Sequence, residues 1–179
     1  YINKLARKNV INGQGGLFKP LDSVTRAEFL KMALNAAFLP SDFISTAPVT
    51  YFKDQDFAAW QWPYINLAVQ NNIVKGSFCT GSVTDHCFFP NAAITRSEAV
   101  TILVKAFGLV QNGSQNVNFS DAQASNYPSV YIAASNTGNS GCGGPDEPII
   151  SGFKDGTFGP NAKILRDQAA KIIAVAMKK

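Results

Sequence analysis

Charge is scarce in this sequence: Asp, Glu, Lys and Arg make up 16% of the 179 residues, against 46% hydrophobic. That balance excludes a disordered chain, which combines few apolar residues with high net charge. No apolar run approaches the roughly 18 residues a membrane-spanning helix requires, so membrane insertion is not expected. No signal peptide is legible at Tyr1. Basic runs of five or more are absent and the formal net charge is only +4, with a pI near 9.0, so no nucleic-acid footprint is present. A modest basic excess of this size fits an acidic glycan or a phosphate polymer. Histidine occurs once, at His86, and neither a Ser-His-acid set nor paired carboxylates on one element are visible. Catalysis and a cofactor are therefore not expected. Cys79 and Cys87 bracket a short polar stretch and could close a small loop disulfide in an oxidising compartment, which leaves Cys142 over. Zinc on Cys79, His86, Cys87 and Cys142 is disfavoured, because the usual Cys-x2-Cys spacing is missing.

What is present is a repeat. Thr25-Arg26-Ala27-Glu28 is matched by Thr95-Arg96-Ser97-Glu98 and by Leu165-Arg166-Asp167-Gln168, with the arginines 70 residues apart each time. Pro20, Pro90 and Pro160 keep the same 70-residue spacing, each with an aromatic just before it (Phe18, Phe89, Phe158). Upstream, Phe52-x-Asp54, Trp60 and Tyr64-Ile65 correspond to Phe119-x-Asp121, Tyr127 and Tyr131-Ile132. The chain opens on Tyr1-Ile2, so the first copy is expected to lack its Phe-x-Asp and aromatic, with more protein upstream. A third shared piece ends in glycine: Val10-Ile11-Asn12-Gly13, Ile73-Val74-Lys75-Gly76 and Ile149-Ile150-Ser151-Gly152. Insertions fall between the shared pieces and carry the cysteines, which marks them as loops on a common frame.

Each copy reads as helix, loop, helix. The first helix covers Tyr64 to about Asn71 in the second copy, where Ile65, Ala68 and Val69 share a face. The proline-bearing element predicts extended backbone in the preceding residue. The second helices start at Thr25, Thr95 and near Leu165. Their apolar faces align: Phe29, Met32, Ala33 and Ala36 with Ala99, Ile102, Leu103 and Ala106, then with Ala169, Ile172, Ile173 and Ala176. No single copy buries such a face alone, so three helices packed about a shared axis are expected. The segments from Leu39 to Tyr51 and from Gly108 to Val117 read as links between copies.

Thr-x-x-Glu ahead of an apolar helix is a capping box, so Thr25, Glu28, Thr95 and Glu98 are read as helix caps. The third copy keeps only Gln168, and its helix start is expected to fray. Arginine at the first helical position opposes the helix dipole. Two readings stand for Arg26, Arg96 and Arg166. One is an anion site beside unpaired helix N–H groups. The other is an ion pair within the molecule, for example to Asp54 or Asp121 of a neighbouring copy. Trp60 and Tyr127 fit either a sugar face or the core, with core the better reading for an aromatic taken alone. Gly13, Gly76 and Gly152 are read as positive-φ turn positions that also let a ligand approach the backbone.

These pieces resemble the S-layer homology (SLH) domain family. Phe-x-Asp, an aromatic and Ile, then Ile-Val-x-Gly, Phe-x-Pro and Ile94-Thr95-Arg96-Ser97-Glu98 carry the resemblance, complete in the second copy. It implies a mainly α fold: one pseudo-threefold domain over residues 1–179, a central helical bundle with projecting helix-loop prongs. Motif 1 would span 1–39 (incomplete), motif 2 51–108 and motif 3 118–179. It implies a role, too: a secreted, extracellular module at the bacterial cell wall that anchors an S-layer or surface protein to anionic, pyruvylated secondary wall polysaccharide. The glycan-binding residues carried over are Arg26, Arg96, Arg166, Asp54, Asp121, Trp60, Gly13, Gly76 and Gly152. Cell-wall polysaccharide is the expected partner, with self-association in an S-layer lattice through the parent protein a further one. The alternative function is a protein–protein or lattice-assembly element without glycan binding. Because the copies differ, unequal grooves are expected, with Arg26 or Arg96 in the best ones.

Overall fold

The structure, a computed structural model, describes residues 1–13, 15, 17–38, 51–56, 58–111, 118–138 and 147–177. Among the described residues there are six helices: α1 Ile2–Arg7, α2 Arg26–Ala37, α3 Trp62–Gln70, α4 Arg96–Ala106, α5 Pro128–Ser135 and α6 Arg166–Ala176. Two small antiparallel hairpins accompany them. One pairs β1 Ser77–Phe78 with β2 His86–Cys87, the other β3 Thr137–Gly138 with β4 Glu147–Pro148. The fold is mainly α, and no described helix is long and apolar enough to cross a membrane. The expected links between copies lie largely outside the described residues, as does Cys142.

Helices α2, α4 and α6 pack on one another, and each also receives the short first helix of another copy: α3 on α2, α5 on α4 and α1 on α6. Their inward faces are the periodic apolar positions, with Phe29, Ala33, Ala99, Leu103, Ala169 and Ile173 all fully buried. Just ahead of each helix lies a fully buried β-branched residue, Val24, Ile94 or Ile164. These three bond to one another in a closed ring: Val24 N donates to Ile164 O at 3.2 Å, Ile164 N to Ile94 O at 3.2 Å and Ile94 N to Val24 O at 3.0 Å.

The ring fixes the helix starts. At α2 every orphan backbone donor is satisfied. Thr25 N donates to Glu28 Oε2 at 2.9 Å and Glu28 N to Thr25 Oγ1 at 3.2 Å, the reciprocal capping box. Arg26 N donates to Ala92 O at 2.9 Å and Ala27 N to Pro90 O at 3.0 Å, both in the next copy. The pattern recurs at α4, through Ala162 O and Pro160 O, and at α6, through Asp22 O and Pro20 O. Leu165 has no side-chain oxygen, so α6 keeps half the box, Leu165 N to Gln168 Oε1 at 3.4 Å. Its backbone nonetheless matches the other two caps (ψ 160° against 161° in both). The cross-copy bonds hold the third helix start where fraying was expected.

The backbone before each proline departs from expectation. Lys19, Phe89 and Gly159 have φ of 52°, 56° and 69°, left-handed rather than extended. Proline excludes the right-handed helix from its predecessor; here the chain takes the other exit, which turns Phe18, Phe88 and Phe158 inward. Phe88, not Phe89, is therefore the aromatic equivalent of the other two. Asp54 and Asp121 stabilise this turn. Asp54 accepts from the N–H groups of Phe88 and Phe89 at 2.8 and 2.6 Å, and Asp121 from those of Phe158 and Gly159 at 2.7 and 2.9 Å. Two residues before each aspartate, Phe52 packs at a tilt against Phe88 and Phe119 against Phe158. The Phe-x-Asp piece is thus a two-point clamp on the Phe-x-Pro loop. Within the second copy, the Cys79–Cys87 disulfide closes the β1–β2 hairpin.

Thr25→Ala removes one capping acceptor and should lower the unfolding free energy by about 1 kcal/mol in a urea titration, leaving the far-ultraviolet spectrum unchanged. Reducing the Cys79–Cys87 bridge reopens a short loop in the unfolded chain and should cost about 2–3 kcal/mol in the same measurement.

Candidate functional site

The three arginines leave the helix starts in the same direction and end against the neighbouring copy. Arg26 Nε donates to Phe88 O at 2.9 Å, Arg96 Nε to Phe158 O at 3.0 Å and Arg166 Nε to Phe18 O at 2.8 Å. Each guanidinium also lies over the ring of that same phenylalanine, at 5.1, 4.8 and 5.0 Å. Two of them reach a carboxylate: Arg26 pairs with Glu98 at 2.7 Å and Arg166 with Glu28 at 3.6 Å. The ion-pair reading therefore holds for these two, with a different partner from Asp54 or Asp121, whose carboxylates are taken by backbone N–H groups. Glu28 and Glu98 serve twice, capping their own helix and pairing with the arginine of another copy. The anion site expected beside unpaired helix N–H groups is absent at all three described starts, because neighbouring carbonyls already accept those bonds.

Arg96 differs. Gln168 stands where Glu28 and Glu98 stand, and Arg96 makes no ion pair among the described residues. Its second carbonyl is Ser151 O at 3.2 Å, and its guanidinium sits between two rings, Phe153 and Phe158, each 4.8 Å from the ring centre. Burial pushes the Arg96 guanidinium below its usual pKa, and the nearby Asp121 charge opposes that shift. Phe153 follows Gly152, a place held by Gln14 and Ser77 in the other copies.

Around the other two arginines the surface opens into grooves of matching composition. The first, about 290 Å³, is lined by Asn12, Gly13, Glu28, Lys31, Trp60 and Arg166, and so draws on all three copies. The second, about 390 Å³, brings together Arg26, Lys75, Gly76, Glu98, Lys105 and Tyr127. The expectation favoured Arg26 or Arg96; the two described grooves belong to Arg26 and Arg166. Trp60 is 49% exposed, which sets aside the core reading for it. It meets Tyr64 edge-on at 6.3 Å and carries Lys31 Nζ at 5.3 Å. A smaller cavity of about 220 Å³ lies inside the second copy, but its only charged lining residues are Asp54 and Asp56, so it repels an anion.

Of the three glycines only Gly76 has positive φ, 72°. Gly13 and Gly152 are required by close approach instead. A Cβ on Gly152 would lie 2.6 Å from both Phe119 Cε1 and Thr157 O, and one on Gly13 2.9 Å from Leu17 O. Sequence reasoning passed over Lys31, Lys75 and Lys105. A signal existed for two of them: Lys31 is three residues past Glu28, and Lys105 seven past Glu98, so each shares a helix face with its groove's glutamate.

A family model described as S-layer homology domain matches residues 1–30 and 147–170. The chain is 33% identical over 138 residues, 74% of its length, to the "Surface-layer 125 kDa protein" of Lysinibacillus sphaericus, covering 11% of that protein. It is 28% identical to the "Cellulosome-anchoring protein" of Acetivibrio thermocellus, over 89% of this chain and 33% of that one. A match at 27% identity spans 100% of the chain and 17% of an "Endoglucanase" from a Bacillus species. The chain thus spans only about a tenth to a third of these curated relatives.

The N–H groups of Phe158 and Gly159 hold the Asp121 carboxyl below the usual carboxylate range, against an opposing desolvation effect. A depressed folded-state pKa contributes stability that is complete above the unfolded value near 4 and is lost as pH falls through the folded one. Asp121→Asn should therefore be less stable than wild type at pH 7 in chemical unfolding, with the gap closing as the pH is taken below about 4.

Proposed function

Because the chain belongs to the S-layer homology family, we propose that it is a non-catalytic anchoring module that binds anionic, pyruvylated secondary polysaccharide of the bacterial cell wall and so tethers a larger surface protein. Its location is the cell surface, in association with the wall. The three motifs, 1–39, 51–108 and 118–179, form one pseudo-threefold domain in this reading. The chain-closing ring of Val24, Ile94 and Ile164 supports that arrangement.

The observation that carries the proposal is the pair of grooves in which arginine, glutamate, glycine and an aromatic stand at corresponding places, with lysine added at a different place in each. Each places a bracketed Arg–Glu pair, a glycine-bearing loop, lysine and an exposed or half-buried aromatic around one opening. Such a combination suits an acidic sugar. The aromatic offers a face to sugar C–H groups, the glycine keeps the backbone approachable, and the cations meet the acid. Trp60, Gly13 and Arg166 line one site and Tyr127, Gly76 and Arg26 the other, while Asp54 and Asp121 hold the loops behind them. Arg96 and Gly152 belong to a third position, where Phe153 lies over the guanidinium. The variety of the relatives, a surface-layer protein, an anchoring protein and an endoglucanase, fits a portable module attached to different cargo. Two modest grooves on one module, multiplied in a surface array, give avidity without one tight site.

Purified wall sacculi test this reading. The chain should co-sediment with intact sacculi and lose that binding once the secondary polysaccharide is removed. Failure to bind intact sacculi would overturn the proposal. Trp60→Ala should weaken binding by about 1 kcal/mol while leaving the fold intact, as measured by the same sedimentation and by circular dichroism.

A further inference from the structure

We propose that the cavity of about 220 Å³ inside the second copy is a further ligand site, and that it takes a sugar carrying a free amine, a hexosamine in its ammonium form. The described lining runs from Phe52 to Asn91, so the cavity belongs to one copy, whereas each groove joins different copies. The segment from Ala59 to Trp62 is the partition: Trp60 lines a groove, while Gln61 and Trp62 line the cavity. Its volume falls below the roughly 300–1,000 Å³ of sites for drug-sized ligands and suits a single ring. Phe52, Trp62 and Phe88 give it aromatic walls, and Trp62 rests against Tyr51 with ring centres 6.4 Å apart. Such walls meet the C–H faces of a ring and offer nothing comparable to a bare ion.

The polar groups decide what the ring must carry. No lysine, arginine or histidine is among the described lining residues, but Asp54 and Asp56 are. Asp54 gives both oxygens to the backbone N–H groups of Phe88 and Phe89. Asp56 accepts through Oδ1 from Ala58 N at 3.0 Å and enters no ion pair among the described residues. Gln61 adds an independent sign. Its Oε1 is buried and has no hydrogen-bond partner among the described residues. A buried acceptor left unpaired is costly. The last torsion of a glutamine is soft, so a small turn brings that oxygen to a donor in the cavity. One charged acceptor, one unpaired acceptor and no cation complement an ammonium, which carries positive charge and three donors. The repeat itself does not require these residues. Counted from the Phe-x-Asp piece, the third copy has Gln123, Pro128 and Ser129 where the second has Asp56, Gln61 and Trp62. The clamp made by Phe52, Asp54 and Phe88 recurs there as Phe119, Asp121 and Phe158. The clamp is thus common to both copies, and the three residues that give the cavity its chemistry are not.

The test titrates the full chain with glucosamine at pH 6, where a sugar amine carries its proton. The two tryptophan indole N–H signals are followed by nuclear magnetic resonance and assigned with Trp60→Phe. N-acetylglucosamine, glucose and n-propylamine are titrated in parallel. The expected result is a saturable shift of the Trp62 signal with glucosamine, and binding at least about tenfold weaker for the other three. Asp56→Asn and Gln61→Met should each weaken glucosamine by about tenfold. Asp56→Asn keeps an oxygen for Ala58 N and Gln61→Met keeps the side-chain length, so both should give the circular dichroism spectrum of wild type. The ligand series on wild type tests the site without relying on either variant. No saturable shift with glucosamine overturns the proposal, as does a shift confined to Trp60, which would place the sugar in the groove. Equal binding of N-acetylglucosamine or glucose overturns the ammonium, and equal binding of n-propylamine overturns the sugar. Wild-type affinity in both variants overturns the assignment to this cavity. Sacculi take no part in the titration, so this proposal and the wall-polymer reading fail separately.

Discussion

Three backbone hydrogen bonds among Val24, Ile94 and Ile164 are the constraint on which the rest of this molecule depends. Each residue stands one place before a helix cap, is fully buried, and both donates to one copy and accepts from the other. Closing that ring sets where α2, α4 and α6 begin and brings the carbonyls of the proline loops against their first N–H groups. A helix start ordinarily needs side chains or water for its four free donors. Here two of the four are met by another copy, so each helix is complete only when its neighbour is in place. The three helix starts accordingly depend on one another, as apolar faces that no copy can bury by itself also require.

That arrangement also decides what the arginines do. A guanidinium at a helix start is unfavourable against the dipole and would swing free if the N–H groups beside it were open. With those groups occupied, the arginine runs along the neighbouring loop and is bound by its carbonyl, its phenylalanine ring and, for Arg26 and Arg166, a glutamate. The glutamate is the same one that caps the adjacent helix. One carboxylate thus joins a local device to an inter-copy device, and the two cannot be altered separately. Charge-assisted bonds of this kind contribute roughly 1.5–3 kcal/mol each, enough to matter against a total stability of about 5–15 kcal/mol.

Much of this was legible beforehand. The 70-residue repeat, the capping boxes, the helical faces and the short disulfide follow from residue types and spacing, because each rests on local geometry. What was not legible is where a side chain ends after crossing to another copy. Nothing in Thr25-Arg26-Ala27-Glu28 says that Arg26 reaches Glu98 while its backbone N–H reaches Ala92. Trp60 meets the same limit: taken alone, an aromatic near a helix reads as core, and its exposure emerges only with the groove beside it. The left-handed residue before each proline escaped because the proline rule excludes one backbone region without choosing between the remaining two.

The differences around Arg96 form one connected set. With Gln168 in place of glutamate, Arg96 loses its carboxylate but stays buried at 6% exposure. A buried cation without a counter-charge is costly, so something else must stabilise it. Phe153 supplies a second aromatic face, worth about 1 kcal/mol, and Ser151 O a further acceptor. The cation thus lies within 4.8 Å of two ring centres where the other arginines have one ring and a carboxylate. Leu165 in place of threonine is tolerated because the cross-copy bonds from Arg166 N and Asp167 N hold α6 without a full cap. Divergence of one copy is thus carried by the closed ring, which supplies the missing restraint from its two neighbours.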